Sequence, residues 1–490
     1  MNRYSAVCAN LLATLFCVQS FAATSPEKIA KIDQTMKQFY DAGRFGGVVL
    51  VAEDGKVLYE KGFGLANAEW NIPNSPQAKY RIGSITKQFT SMLVMQLVKE
   101  GTLKLDGTLA DYLPYYRKDT GAKVTLQHLL THTSGIPSYT DNPQFFRDNS
   151  RRRVKSPKDF VLEYCSGDLL WSPGEKWGYN NSGYFLLGAV LEQVTGRKYE
   201  DLLRARIFEP VGMNDTGYDH FETIIANRAT GYQRSPAGAL QNAEFLDMGA
   251  PYAAGSLYST VKDLLKWDQA LYTDKLLPAN LKQKMFTPAK NNYAFGWVVT
   301  NPSPNTPSEY AIGHSGGING FSAHLLRMPN SKLTLIVLGN YPAPAGPVMR
   351  ALDLILHGGP VPPIKRSAAD EIRPVIFQGG TAAAIAKYRA LKLQPDKYDL
   401  SEAELNQLGY SLMTADKPDE AIGILKLNVE EHPASANAYD SLGEAYVTAG
   451  QRELAIKNYK KALELDPANQ SAPAALKKLK GETDAATPAK

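Results

Sequence analysis

A serine and a lysine three residues apart are the first candidates for chemistry in this 490-residue sequence. In Ser84-Ile85-Thr86-Lys87 the hydroxyl and the amine lie one helical turn apart, on the same face of a helix. A serine hydroxyl becomes a nucleophile beside a base, and an amine can act as that base only if burial or positive potential lowers its pKa. The same spacing occurs at Ser25 and Ser259, so the surroundings of Ser84 must distinguish it.

Two further segments contain groups that move protons or hold a substrate. Tyr179-Asn180-Asn181 places a phenol two residues before an amide, although this pattern is also typical of a helix start with an asparagine cap. His314-Ser315-Gly316-Gly317 combines an imidazole with glycines, which let a backbone amide approach a developing oxyanion. A lone histidine is more often structural than catalytic, so His314 matters only together with the other groups.

The residues after Ser84 are predicted to form a buried helix. The run 84–100 ends before Gly101 and has no clear polar face, because apolar side chains cover most of its circumference. Its first turn would hold Ser84 and Lys87 away from bulk water, near the positive end of the helix dipole. This context separates Ser84 from Ser25 and Ser259.

Strand patterns lie at both ends of the region that contains these motifs. Residues 46–53 and 56–65 flank the turn Asp54-Gly55, and residues 321–328 and 332–340 flank a second turn. Helical patterns occur at 29–40 and 347–357. We therefore predict an α+β fold, with an antiparallel sheet built from N- and C-terminal strands, flanking helices and an inserted helical region.

The C-terminal region repeats itself every 34 residues and resembles tetratricopeptide repeats. The recurring pairs are Leu408-Gly409 with Leu442-Gly443, Ala421-Ile422 with Ala455-Ile456, and Pro433 with Pro467. We predict α-helical repeats over 380–480, with a degenerate first copy near 384–395 and a closing helix over 472–479. Residues 359–379 are predicted to be a linker because they begin with glycines and prolines, and 481–490 a flexible tail.

The N-terminal residues are typical of a cleavable signal peptide over 1–22. Arg3 precedes an apolar run from Ala6 to Val18, which is shorter than the ~20 residues that span a bilayer. We therefore expect an exported protein, periplasmic or secreted, whose domain with the motifs covers 23–358. Cys165 would be the one cysteine left after cleavage, and we expect it to be a small buried side chain. The net charge of +5 does not favour nucleic-acid binding.

The three motifs, in this order, resemble those of the serine β-lactamase and penicillin-binding-protein family, in its class C-like branch. The likeness extends through 129–135, 171–174 and 210–213, and so covers about residues 45–357. It implies that Ser84 attacks a carbonyl and becomes acylated, while Lys87 and Tyr179 share the proton transfers, with the primary base left open. It also implies that the amides of Ser84 and Gly317, beside Gly316, form the oxyanion hole, and that Asn181 holds the substrate amide or ester.

His314 stands where class C β-lactamases usually carry lysine. A neutral imidazole attracts a substrate carboxylate less than an ammonium does. The resemblance therefore favours D-amino-acid peptides, peptidoglycan stems or small esters as substrates of a D-peptidase or esterase, with β-lactam hydrolysis as the alternative. A different class, a non-catalytic binder of cell-wall peptides that signals through its repeats, is disfavoured because Ser84, Lys87 and Tyr179 are all present.

No cofactor or metal is expected. His128 and His132 have the spacing of two ligands on a helix, but no glutamate lies between them in the metalloprotease pattern and no third ligand is evident. The expected partners are a small peptide, ester or cell-wall-derived substrate and a protein bound by the repeats. Neither nucleic acid nor a membrane span after signal cleavage is expected.

Overall fold

The structure is a computed structural model that describes residues 25–147, 152, 156–302, 308–469 and 471–481. The signal peptide predicted over 1–22 and the tail from 482 onward lie outside these ranges. An α+β domain comes first in the chain, and a mainly helical region with two short strands (Arg366–Ser367 and Tyr398–Asp399) follows it. None of the helices in the described ranges combines the length and the apolarity needed to cross a bilayer.

The helices and strands are numbered in chain order. The helices are α1 (Pro26–Asp41), α2 (Thr86–Lys99), α3 (Leu109–Tyr112), α4 (Lys118–Gly121), α5 (Leu126–Leu130), α6 (Pro143–Arg147), α7 (Pro157–Tyr164), α8 (Asn181–Thr195), α9 (Tyr199–Leu203), α10 (Glu209–Val211), α11 (Val261–Ala270), α12 (Ala279–Phe286), α13 (Ala345–Leu356), α14 (Ala368–Lys392), α15 (Glu402–Thr414), α16 (Pro418–Glu431), α17 (Ala436–Thr448), α18 (Arg452–Leu465) and α19 (Ser471–Lys480). The strands are β1 (Gly47–Glu53), β2 (Lys56–Phe63), β3 (Leu65–Asn67), β4 (Ile72–Pro73), β5 (Tyr80–Arg81), β6 (Gly217–Tyr218), β7 (Tyr232–Arg234), β8 (Leu240–Asn242), β9 (Leu257–Ser259), β10 (Val298–Thr300), β11 (Ala311–Ile318), β12 (Phe321–Met328), β13 (Leu333–Gly339), β14 (Arg366–Ser367) and β15 (Tyr398–Asp399).

Six antiparallel strands form the main sheet, in the order β10-β11-β12-β13-β1-β2. Strand β1 pairs with β13 in a register that places Gly47 opposite Gly339 and Glu53 opposite Leu333. Both strands are buried along almost their whole length, since helices cover both faces of the sheet. The predicted α+β fold, with N- and C-terminal strands joined in one antiparallel sheet, is confirmed.

Each face of the sheet has its own hydrophobic core. On one face α1 and α13 pack against the sheet, and their core includes Ile32, Val49 and Leu352. The inserted helices cover the other face, where Leu50 and Phe89 are buried. Neighbours on β1 enter different cores because successive side chains on a strand point to opposite faces. The inserted region is thus held as one layer against the sheet.

Helix α2 lies inside the second core, as its apolar sequence predicts. Its buried residues run without interruption from Thr86 to Leu97. The polar side chains among them have partners: Gln88 Oε1 accepts a hydrogen bond from Trp267 Nε1 (2.9 Å). Ser84 itself precedes α2, in a 3₁₀ turn over Gly83–Ile85. The rigid packing of α2 therefore fixes this turn and Lys87 just after it.

The C-terminal region consists of two helical hairpins, α15–α16 and α17–α18, followed by α19. The recurring glycines lie where the two helices of a hairpin touch. A Cβ atom at Gly409 would approach Leu425 Cγ to 2.6 Å, and one at Gly443 would approach Tyr459 Cδ1 to 3.1 Å. The 34-residue spacing therefore repeats a close helix contact, and the predicted helical repeats are confirmed.

Helix α14 begins inside the segment 359–379 that was predicted to be a linker. Ser367 caps it, since its hydroxyl accepts a hydrogen bond from the Asp370 amide (3.0 Å). The prediction extended the linker too far because the glycines and prolines end at Pro363, before this helix start. Gly380, with φ of +78°, separates two helical halves of α14, and the second half ends at Lys392, within the segment 384–395 where a degenerate repeat is predicted.

Arg44 connects the sheet domain to the repeats. Its Nε donates a hydrogen bond to the Lys365 carbonyl (3.1 Å), and its Nη2 donates to Glu404 Oε1 (2.9 Å) and Asp399 Oδ2 (3.4 Å). Glu404 is largely buried, so this pair is only weakly screened by solvent. The guanidinium therefore ties the connection and the first repeat hairpin to the N-terminal domain.

We expect Arg44→Met to loosen this junction. The change removes charge-assisted hydrogen bonds worth about 1–3 kcal/mol and leaves Glu404 without its cation. Limited proteolysis should then cleave the connection around 358–365 faster than in the unaltered protein. Lys37→Met, which removes an exposed pair with Asp41, is the matched control and should change nothing. Equal cleavage of both variants would contradict the assignment.

Candidate active site

Ser84 lies on a tight turn that is pressed against the end of strand β11. Gly83 adopts φ of +50°, and a Cβ atom there would come within 2.8 Å of the Gly317 nitrogen. A Cβ atom at Gly316 would come within 2.0 Å of the Ile82 carbonyl oxygen. Both glycines are therefore required by the close approach of two backbones, which brings the end of β11 against the turn that carries Ser84.

The Lys87 amine is fully buried behind Ser84 and has three oxygen neighbours. Nζ lies 2.9 Å from Ser84 Oγ, 2.8 Å from Asn181 Oδ1 and 2.8 Å from the Ala254 carbonyl oxygen. Burial disfavours the charged form, so the pKa of Lys87 is lowered well below its ordinary value of 10.5. The side chain that the sequence nominated as a base is thus dry and adjacent to the nucleophile.

The three neighbours match an uncharged amine. Asn181 Oδ1 and the Ala254 carbonyl can only accept, so each takes one of the two N–H bonds of a neutral amine. The Ser84 hydroxyl is the remaining neighbour, and it can donate its proton to the nitrogen lone pair. The arrangement therefore aims the basic lone pair of Lys87 at the hydroxyl that must lose a proton.

Asn181 begins helix α8 and connects Lys87 to the wall of the site. Its Nδ2 donates to Thr140 Oγ1 (3.1 Å), which leaves Oδ1 turned toward Lys87. The preceding Asn180 caps the helix, since its side chain accepts a hydrogen bond from the Gly183 amide (2.7 Å). Asn180 therefore has the structural role of a helix cap, whereas Asn181 contacts Lys87 in the site.

Tyr179 lies at the edge of the site with 37% of its surface exposed. Its ring centre is 4.9 Å from Lys87 Nζ and its hydroxyl interacts with Ser84. Loss of hydration raises the pKa of the phenol above its ordinary value, and the interaction with Ser84 offsets this in part. At neutral pH the phenol therefore keeps its proton.

His314 is buried and uncharged. Its Nδ1 donates to the Ser315 carbonyl (2.5 Å), so Nε2 is the nitrogen that accepts a hydrogen bond from the Tyr293 hydroxyl (3.0 Å). Burial lowers the pKa of His314 to about 3, with a smaller contribution from the charge of Lys87. Both ring nitrogens are thus occupied by the protein, and the imidazole supplies no positive charge.

A cleft of about 170 Å³ opens in front of Ser84. Ser84, Asn181 and Gly317 line it, whereas Lys87 and His314 are buried behind it. The other walls are mostly aromatic and aliphatic, formed by Tyr139, Phe145, Phe146, Leu246, Ala250, Pro251, Ala254 and Ile318, among others. The opening can therefore take an apolar group on either side of a carbonyl held at Ser84.

Sequence reasoning missed several groups that complete the site. The Ala254 carbonyl is a backbone atom and has no residue-type signal. Tyr293 forms a hydrogen bond with His314 and lies 4.4 Å, ring to ring, from His132. His132, weighed and rejected as a metal ligand, accepts a hydrogen bond from the Asn180 amide through Nδ1 (3.2 Å). Over the described ranges no three His, Cys, Asp or Glu side chains form a group that could hold a metal ion.

Comparison with known proteins decides the family. A sequence profile of the β-lactamase family matches residues 31–359, two thirds of the chain. The chain belongs to the β-lactamase family. A tetratricopeptide repeat profile matches residues 436–469 of this β-lactamase-family protein, within α17 and α18. Both resemblances read from the sequence are therefore confirmed.

Relatives of this β-lactamase-family protein include a penicillin-binding protein of Bacillus subtilis, 29% identical over 70% of this chain and 82% of the relative. A solved penicillin-binding protein from Bacillus halodurans is 28% identical, with a TM-score of 0.59 over 65% of this chain and 98% of the other. A D-stereospecific amidohydrolase from Streptomyces sp. is 26% identical, with a TM-score of 0.57 over 66% and 98%.

The two motif glycines give a matched pair of variants. Gly316→Ala should displace the turn that carries Ser84, because its Cβ would press on the Ile82 carbonyl. Such a displacement costs on the order of 100-fold in kcat/KM. Gly317→Ala should cause a much smaller loss, because a Cβ there meets no atom within 4 Å. Steady-state hydrolysis of a nitrophenyl ester measures both, and equal losses would contradict the packing described.

The pH dependence of acylation should report the Lys87 amine. Below its lowered pKa the amine carries a proton and cannot take one from Ser84, whereas above this pKa it is free. We therefore expect the rate of nitrophenol burst formation to reach its plateau well below pH 10.5 and to fall on the acid side of that plateau. His314 adds no inflection near neutral pH, because its pKa is about 3. A rate that rises steadily toward pH 10.5 would show an ordinary lysine.

Proposed function

We propose that the protein is an exported serine hydrolase that forms an acyl-enzyme at Ser84 and acts on D-amino-acid-containing peptides, peptidoglycan stems or small esters. The observation that carries the proposal is the buried Lys87 amine, 2.9 Å from Ser84 Oγ. Burying an amine is costly unless it is hydrogen-bonded, and the three oxygens around Nζ offset this cost while they hold the amine beside the nucleophile. The amine has the position that a general base requires, and burial lowers its pKa in the direction that a general base requires.

Acylation begins when Ser84 Oγ bonds to the substrate carbonyl carbon and its proton passes to Lys87 Nζ. The negative charge that develops on the carbonyl oxygen is held by the backbone amides of Ser84 and Gly317. The bond to the leaving amine or alcohol then breaks, and that group takes a proton from Tyr179 or Lys87. Lys87 is assigned as the base because its pKa is lowered, and Tyr179 as a proton donor because its pKa is raised.

Deacylation reverses these roles. Water attacks the acyl carbon, gives one proton to the amine or phenolate, and releases the acid together with a protonated Ser84. Asn181 lines the cleft, and Lys87 and Thr140 engage its Oδ1 and one N–H of its Nδ2, so the second N–H of Nδ2 is left to hold the acyl amide. The complete cycle consumes water and needs no cofactor.

The substrate class is supported by the relatives and by His314. The Streptomyces relative is a D-stereospecific amidohydrolase, and the two others are penicillin-binding proteins. His314 occupies the motif position of a lysine but is neutral, with both nitrogens engaged. It would attract the carboxylate of a β-lactam weakly, so β-lactam hydrolysis remains the secondary activity in this proposal.

Export and a protein partner are further parts of the proposal. Export rests on the signal-like composition of residues 1–22. The partner rests on the repeats α15 to α18, since tandem helical hairpins of this kind offer extended binding surfaces. Edman sequencing of protein recovered outside the bacterial cytoplasm should begin near Ala23. A full-length product in the cytoplasm would contradict the proposal of export.

Covalent labelling tests the central step. A fluorescent penicillin or a fluorophosphonate should add its mass to the peptide that contains Ser84, and Ser84→Ala should abolish the label. Ser25→Ala is the matched control, because Ser25 and Lys28 have the same spacing but Ser25 only caps α1. Labelling that persists in Ser84→Ala, or that is lost in Ser25→Ala, would contradict the assignment.

A substrate panel refines the same experiment. The purified mature protein should hydrolyse a nitrophenyl ester and D-phenylalanine amide faster than a chromogenic cephalosporin or L-phenylalanine amide. A preference for the cephalosporin would instead favour the β-lactamase alternative. Binding of D-Ala-D-Ala peptides without any turnover would favour the non-catalytic binder.

A further inference from the structure

A second cavity, of about 300 Å³, adjoins the catalytic cleft and has a cationic wall. Leu246 and Asn319 line both openings, so the two cavities are neighbours. Arg81 and Arg228 line the second cavity. Arg81 precedes Ser84 by three residues, on strand β5. The cavity is therefore positioned to receive part of a molecule that is held at Ser84.

The two arginines share one carboxylate. Asp219 is completely buried, and it accepts hydrogen bonds from Arg81 Nε (2.6 Å) and Arg228 Nη1 (2.7 Å). One negative charge neutralises one guanidinium, so the three groups together keep a net positive charge. Each guanidinium has five N–H donors and gives one of them to Asp219. The pair is thus held rigidly and retains donors for an anion that enters the cavity.

The direction of β11 shows which part of a substrate would reach this cavity. The strand passes from His314 through Gly317 toward Asn319. Tyr179, which protonates the leaving group in the proposed mechanism, lies at the His314 end, with 6.1 Å between the ring centres. The arginine cavity lies at the Asn319 end. The leaving group and the acyl substituent point away from each other across the reacting carbonyl, so the cavity faces the acyl side.

We infer that the acyl portion of the substrate carries a free carboxylate in addition to the carbonyl that Ser84 attacks. This carboxylate binds to Arg81 and Arg228. This inference rests on the proposed function and adds that the substrates carry a negative charge on the acyl side. It also accounts for a catalytic cleft whose described lining contains no charged side chain. The carboxylate could belong to an acidic residue of a peptide or to a dicarboxylic ester.

Other charges nearby modulate this site. Glu244 lies exposed on the rim of the cavity, and its backbone carbonyl accepts a hydrogen bond from Asn319 Nδ2 (3.0 Å). Its carboxylate opposes an incoming anion, although solvent screens an exposed charge more than it screens the guanidiniums. Lys79 and Asp215 neutralise each other in a separate pair at 3.0 Å. Removal of the Glu244 charge should therefore strengthen anion binding, the opposite of removing Arg228.

Two isosteric substrate pairs test the inference. D-glutamic acid α-(4-nitroanilide) is compared with D-glutamine α-(4-nitroanilide), and mono-4-nitrophenyl glutarate with 4-nitrophenyl glutaramate. Each pair differs only in one carboxylate, and the two pairs distinguish peptide from ester substrates. We expect the acidic member of at least one pair to have the higher kcat/KM. Arg228→Gln should lower the acidic-to-amide ratio roughly tenfold, the effect of one charge-assisted hydrogen bond.

One further variant and one control complete the test of the acidic-to-amide ratio. Glu244→Gln should raise the same ratio, and Arg197→Gln, which alters an exposed arginine that lines neither opening, should leave it unchanged. Arg81 still neutralises Asp219 in Arg228→Gln, so this variant should fold. Ratios that do not respond to Arg228→Gln and Glu244→Gln would overturn the inference.

A binding measurement separates this inference from the proposed function. Glutarate should bind to Ser84→Ala in calorimetry. The double variant Ser84→Ala/Arg228→Gln should bind glutarate roughly tenfold more weakly. If the unaltered protein hydrolyses none of the four substrates, the proposed function fails, and glutarate binding still decides whether the arginines recognise a carboxylate. If Ser84→Ala does not bind glutarate while the unaltered protein hydrolyses the neutral substrates, the inference of a carboxylate site is overturned and the proposed function is not.

Discussion

The structure depends on keeping a lysine amine dry and uncharged next to a serine. A buried ammonium is costly, and the cost is avoided when the amine releases its proton and its N–H groups are satisfied. The acceptors come from distant parts of the chain: Asn181 at the start of α8 and the Ala254 carbonyl just before β9. Helix α2 can stay buried only because these elements converge on Lys87, so catalytic placement and core packing are the same constraint.

The two histidines near Lys87 are buried as well. His132 and His314 are buried, and burial lowers the pKa of both, with an added effect of the nearby Lys87 charge. Burial and the repulsion between neighbouring cations thus both favour the uncharged forms of these basic groups. In the proposed mechanism, the charge that develops on a substrate oxygen is held by backbone amides, and the contact between Gly83 and β11 fixes the position of their segments. Permanent positive charge is found beyond the cleft wall, on Arg81 and Arg228.

Much of this arrangement could be predicted from the sequence because it is local. Ser84 and Lys87 are one turn apart, and the apolar residues of α2 already indicate burial. The sheet followed from hairpin patterns, and the repeats from a fixed interval. Ala254 could not be predicted, because a carbonyl has no side-chain signal and lies 167 residues from its partner. The contact of His314 with Tyr293 depends on tertiary packing, and the start of α14 was hidden by the prolines before it.

The most direct test of the central claim is the protonation state of the Lys87 amine itself. Protein labelled with [¹³Cε]lysine and titrated by NMR would show this resonance, assigned by its loss in Lys87→Gln. The buried position predicts a Lys87 resonance that changes from the ammonium to the amine chemical shift well below the ordinary pKa of 10.5. A Lys87 resonance that stays in the ammonium position up to pH 10.5 would contradict it.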